Sequence, residues 1–284
     1  MPFTDDIKKI VDLKLERLES VPDAFSSRMI KIQRGKFNDI IALLDDLEFS
    51  KGSVVLNNAN LLKIEQIVTG IEEVLTGSEF QDAVQGLLEE FDTQAAINYR
   101  YFENMEPKFA IPQITDAILL EQKRNAVKTL IASTDQYLTN PMREVLSNAV
   151  ISGSSRANLL STFRTLIQGD PDTVGRLERA TRQIVSDSFA LTDRAITNEV
   201  ALQLDFQWFL YTGGLMDTTR PFCKSRNGKY FSKKEVQSWG NETWQGQMEG
   251  TNEKTIFVTA GGYNCQHSIL PVSEAVVPNR FKNA

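Results

Sequence analysis

Apolar side chains recur at helical spacing along most of the first 204 residues, and this period is the strongest constraint on the fold. Residues 5–19 place Ile7, Ile10, Val11, Leu13 and Leu18 near one helical face. Residues 25–48 follow with Met29, Ile32, Phe37, Ile40, Ile41, Leu44 and Leu47. LNNANLLKIEQIVTGIEEVLTG has an Asn-rich start and a Gly77 stop, as helix caps require. Residues 79–103, 113–138, 140–152 and 156–168 continue the pattern. Between Asp23 and Arg220 there are only four prolines, and they fall where periodic segments stop. The last and longest stretch runs from Pro171 and Asp172, suited to a first turn, to Asp205. Val174, Leu177, Ile184, Leu191, Ala195 and Leu202 form its stripe. Thr181, Ser188 and Asn198 interrupt that stripe, favouring packing in a bundle over a coiled coil.

After residue 204 the pattern changes. All three tryptophans, both cysteines, the single histidine and eight of the sixteen glycines lie there. Residues 1–204 carry a net charge of −8 and residues 205–284 a net of +2. The expected fold is α+β, predominantly α. A helical domain at 1–204 supplies a protein-binding bundle, and a small cysteine-containing α+β domain follows at 205–284. In that tail FQWFLYTGG, TIFVTAGG and HSILPV read as strands, and GKYF follows an Asn-Gly turn. SKKEVQSWG reads as a short helix capped by Ser232 and Glu235.

Several function classes are disfavoured. The overall net charge of −6 argues against a protein that coats nucleic acid with its whole surface, while leaving room for a local basic patch. No apolar run of transmembrane length occurs, and MPFTDDIKKIVDLKLERLES lacks a secretory core, so a cytosolic site without membrane contact is expected. One histidine leaves little scope for acid–base catalysis, and the chain is not expected to be an enzyme.

Three tail features could carry chemistry. Cys223, Cys265 and His267 offer three ligands of the kind zinc takes, with a fourth to come from water, Asp217 or another carboxylate. The two cysteines also read as a disulfide, or as buried thiols beside a hydrogen-bonded imidazole. Each reading brings the two loops together. From Thr218 to Lys234, Arg220, Lys224, Arg226, Lys229, Lys233 and Lys234 occur with no acid, interleaved with Phe222, Tyr230 and Phe231. That stretch suits a DNA backbone, an acidic protein partner or a solvated loop. Asp217-Thr218-Thr219-Arg220-Pro221 reads as a proline-locked turn in which Asp217 and Arg220 pair.

The words TRQIVSDSFALTDRAITNEV, FQWFLYTGGLMDTTRPFCKSRNGKYF and GGYNCQHSILPV resemble the head morphogenesis proteins of tailed bacteriophages, the Mu F-like minor head family. Asp217, Thr219, Arg220, Cys223, Gly228, Phe231, Asn264, Cys265 and His267 fall on matching positions, and the resemblance covers about residues 175–278. Gln266 stands where the family often has Arg. Gly261-Gly262-Tyr263 stands where His-Pro is frequent, which removes one candidate ligand histidine. The resemblance implies a structural minor head protein, present in several copies in the virion head. It would act during capsid assembly in the host cytoplasm, at the portal vertex or inside the shell. The implied partners are the portal protein, the major capsid protein and packaged double-stranded DNA. A nuclease or transferase using Asp217, Arg220 and His267 is the alternative.

Overall fold

A computed structural model of the chain describes residues 4–106, 109–169 and 176–282, with the side chains of 176–179 excepted. In chain order the elements are α1 (Asp5–Gly35), α2 (Phe37–Leu43), β1 (Phe49–Ser50), β2 (Ser53–Val54), α3 (Asn58–Leu75), α4 (Ser78–Met105), α5 (Ile114–Thr134), α6 (Asn140–Ser152), α7 (Arg156–Gln168) and α8 (Arg176–Gln203). The tail adds β3 (Trp208–Thr212), α9 (Pro221–Arg226), β4 (Lys229–Ser232), α10 (Lys233–Ser238), α11 (Ile256–Thr259), β5 (Ser268–Val272) and α12 (Asn279–Lys282). The fold is predominantly α, with a small cysteine-bearing sheet region near the C-terminus.

Local chemistry sets several of these boundaries. The Asn57 side chain accepts the Asn60 amide at 2.7 Å and opens α3. Ser155 caps α7 in the same way, and Gly153, in the left-handed region, closes α6. Where two helices were expected at 5–19 and 25–48, α1 continues through Pro22 and stops at Gly35. Phe49 and Val54 then pair in a two-residue hairpin that the helical spacing concealed. The Pro171–Asp172 start expected for α8 lies outside the described residues.

The chain forms two compact units, and their boundaries differ from the division expected at residue 205. One consists of Met1–Pro22, Leu88–Asn125 and Val185–Ala284, the other of Asp23–Leu87 and Ala126–Ile184. The second is a helical bundle with an apolar core cluster in which Ile40, Leu44, Ile67, Ile71, Leu138 and Phe163 are all but fully buried. The first joins helical segments to the tail. Ile7 and Ile10 of α1, Tyr101 of α4, Val200 of α8 and Leu270 of β5 share one core, so the last part of α8 belongs with the sheet it precedes.

Within that unit the buried face of α8 is rotated from the stripe read in the sequence. Val185, Phe189, Asp193, Ile196 and Val200 are buried, whereas Leu191 and Ala195 are half-exposed and Leu202 is exposed. The buried face is interrupted by charge. Lys14 is wholly buried and ion-paired with Asp193 at 3.2 Å. Its ammonium also donates to Asn98 and Thr197, while Gln94 and Asn98 donate to the Asp193 carboxylate. Burial drives the Lys14 ammonium below the ordinary lysine range, and Asp193 partly opposes that shift.

The tail sheet has strand order β4-β3-β5, with both pairings antiparallel. β3 alternates as a central strand should, with Phe209 and Tyr211 buried and Trp208, Leu210 and Thr212 half-exposed. Pro271 is tolerated because β5 is an edge strand. The capping box at α10 forms as the sequence predicts, with Ser232 and Glu235 bonded reciprocally. TIFVT, expected as a strand, is instead the single turn α11. Asn252 accepts the Lys254 and Thr255 amides just before it, and Ala260 at φ +39° ends it. Burial of Ile256 and Phe257 outweighs the β propensity of so short a run.

Candidate metal centre

Three elements bring the tail's soft ligands together. Pro221 starts α9 and places Cys223 in its first turn. The loop leading into β5 carries Cys265 and His267, and β3 pairs with β5 beside that loop. Both cysteines are free thiols, with sulfurs 3.9 Å apart. A disulfide needs an S–S length of about 2.0 Å, so no bond joins the two sulfurs in this structure. Cys265 Sγ is 3.7 Å from His267 Nδ1, and the three ligand atoms all lie within 4.8 Å of one another. All three residues are buried.

Tyr211, which sequence analysis treated only as part of an aromatic strand, completes the group. Its hydroxyl donates to Cys223 Sγ at 3.2 Å and lies 4.0 Å from Cys265 Sγ. Its ring stacks on His267 with centroids 5.3 Å apart. Burial raises the Tyr211 phenol well above the ordinary range. The hydrogen bond to Cys265, with burial, pushes the Cys223 thiol up. Cys265 is held well below the usual thiol range, because it accepts from Cys223 and lies beside His267 and Arg194.

The surrounding backbone is pinned by two arginines. Arg194 of α8 is buried and donates to the carbonyls of His267 (3.0 Å), Val258 (3.3 Å) and Cys265. Arg220 donates to the carbonyls of Tyr263 (2.6 Å) and Gly261 (3.4 Å). The Asp217–Arg220 pair expected from the sequence does not form. Asp217 is exposed, and Arg220, as the extended N-cap of α9, is directed to the facing loop. The turn is instead closed by Thr219, whose hydroxyl accepts the Met216 amide at 2.7 Å. The inward-facing charges of the Asp193–Arg194 dipeptide were not evident from the sequence. Their only signal there is a pair of adjacent opposite charges between apolar Leu191 and Ala195.

Space beside the thiols is kept by glycine. A Cβ on Gly261 would lie 2.5 Å from Cys223 Sγ, 2.6 Å from Cys265 Sγ and 3.0 Å from the Tyr211 hydroxyl. One on Gly262, at φ +96°, would lie 1.9 Å from the Gly246 carbonyl oxygen. The donor set fits a metal of zinc's type, and His267 Nε2 is buried without a hydrogen-bond partner. A cleft of about 370 Å³ opens beside the group, lined among others by Thr218, Arg220, Gln245, Asn264 and Gln266.

The basic stretch is only partly available to a ligand. Arg226 Nη2 donates to both carboxylate oxygens of Glu242, its guanidinium lies over the Phe222 ring at 3.9 Å, and Lys233 pairs with Asp205 at 3.6 Å. With Arg220 bound to carbonyls, the exposed cations are Lys224, Lys229 and Lys234. Among the described residues, no helix is long and apolar enough to cross a membrane. Compared with protein-family models, curated proteins and solved structures, the chain matches none.

Proposed function

We propose that the chain is a minor head protein of a tailed bacteriophage, a structural adaptor whose tail is fastened by a zinc ion on Cys223, Cys265 and His267. The observation that carries this reading is convergence. Arg220, Cys223, Asn264, Cys265 and His267, which bear much of the resemblance to the Mu F-like family, line one cleft although more than forty residues separate Cys223 from Cys265. Shared words that meet at one place are better explained by a common fold of the tail than by unrelated short matches.

The site's chemistry favours fastening over turnover. Zinc would neutralise two thiolates and link α9 to the loop before β5. Arg220 is committed to two backbone carbonyls, Asp217 is exposed, and the Nδ1 contact of His267 is to Cys265. An acid–base pair of Asp217 and His267 therefore has little support, and so has the nuclease or transferase alternative. Portal or shell contact is assigned to the helical surface, with head-associated copies of the protein in the virion. Packaged DNA would meet Lys224, Lys229 and Lys234.

The test is co-expression with the portal protein from the same genome, together with mass spectrometry of purified heads. The proposal expects co-purification with the portal and several copies per head. A chain absent from heads and procapsids, with no portal complex, would refute it.

A further inference from the structure

We propose that Tyr211 is the fourth ligand of the metal, giving a closed site of two thiolates, one imidazole and one phenolate rather than one that keeps a coordination position open to the cleft. This rests on the metal reading above and specifies its coordination.

The argument is geometric. A tetrahedral ion with metal–sulfur bonds of about 2.3 Å and metal–nitrogen or metal–oxygen bonds of about 2.0–2.1 Å has ligand–ligand edges of roughly 3.8 Å for S–S and 3.5 Å for S–N or S–O. The observed edges are 3.9 Å between the sulfurs, 3.7 Å from Cys265 to His267, and 3.2 and 4.0 Å from the Tyr211 oxygen to the two sulfurs. On its two sulfur edges, the phenol oxygen therefore stands where a fourth ligand would. The point beside Gly261 that lies 2.5, 2.6 and 3.0 Å from the two sulfurs and this oxygen shows that all three face a shared space kept free of carbon. The register of β3 fixes this placement, because Tyr211 pairs with Ile269 on one side and Lys229 on the other.

Charge is also compatible. With a divalent ion bound, both sulfurs are thiolates and the phenol is a phenolate, every displaced proton going to solvent, which leaves a site of net charge −1 with neutral imidazole. The guanidinium of Arg194 donates to the Cys265 and His267 carbonyls, and that of Arg220 donates to the carbonyl of Gly261, beside the sulfurs. Two fixed cations thus border a site that carries one excess negative charge.

The experiment titrates zinc into the metal-free, reduced full-length protein at neutral pH and follows tyrosinate absorbance. A phenol of ordinary pKa, about 10, gives almost no tyrosinate at neutral pH, so a band there reports a cation on the oxygen. The assignment expects one equivalent of zinc per chain and a difference band equal to one tyrosinate. In Tyr211→Phe the band disappears and zinc affinity falls by at least about 10-fold. With cobalt in place of zinc, azide leaves the visible spectrum of the wild type unchanged and alters that of Tyr211→Phe. Stoichiometric zinc that is lost in Cys223→Ser, with no tyrosinate band and unchanged affinity in Tyr211→Phe, overturns the Tyr211 assignment while sparing the metal site. No zinc uptake by the wild type overturns both.

Discussion

Replacing Gly261 with alanine adds a single methyl group and tests the metal centre sharply. The new carbon would stand 2.5 and 2.6 Å from the two sulfurs, against an ordinary non-bonded separation of about 3.5–4.0 Å. An overlap of about 1 Å cannot be absorbed by one flexible side-chain end, because both thiols and Tyr211 are buried. Nor can the backbone retreat freely, since the Gly261 carbonyl accepts from Trp244 at 3.1 Å and from Arg220. Overpacking of this kind costs about 1–3 kcal/mol. For a unit of this size that lowers the melting temperature by roughly 2–12 °C. Moving the sulfurs apart also removes the metal site, so zinc uptake falls with stability. Gly214→Ala is the control, because a Cβ there meets nothing within 4 Å. Thermal unfolding and zinc titration of the two variants side by side give the answer. Equal stability and equal zinc uptake in both would refute the packing argument.

Further outcomes follow from the same contacts. Lys14→Met strips the Asp193 carboxylate of its buried ion pair and is expected to cost about 3–5 kcal/mol by urea unfolding, whereas a cost below about 1 kcal/mol would show that the pair is unimportant. Burial raises the phenols of Tyr101 and Tyr211 above their unfolded value of about 10, so their contribution is full below that pH and is lost as pH rises beyond it. In an alkaline titration of the metal-free protein, both should ionise only as near-ultraviolet circular dichroism collapses, and ionisation with tertiary structure intact would contradict this. If the tail meets DNA, changing Lys224, Lys229 and Lys234 together to glutamate should lower the slope of log affinity against log salt by roughly 0.9 for each lost phosphate contact, while an unchanged slope would place the contact elsewhere.

The parts of the fold legible in the sequence were those fixed locally. α6 and α7 begin and end where the periodicity places them, and the Ser232–Glu235 box was readable because both partners lie within four residues. The convergence of Cys223, Cys265 and His267 was also foreseeable, since few chemistries use two cysteines and one histidine. What spacing could not show was the outcome of tertiary packing. The face of α8 that is buried depends on Asp193 meeting Lys14 and on Arg194 meeting the loop before β5. α8 carries apolar residues on more than one side, so its stripe alone does not choose. Tyr211 looked like plain core because its hydroxyl reaches the thiols only through strand register and the absence of a side chain on Gly261. The basic stretch looked uniform, yet Arg226 and Lys233 are matched by Glu242 and Asp205 from other elements.

Zinc-edge X-ray absorption of protein purified without chelator probes the central claim at its source. The account predicts one zinc per chain, with two sulfurs at about 2.3 Å and two lighter atoms at about 2.0–2.1 Å. Zinc well below one equivalent, or a first shell without sulfur, would contradict it.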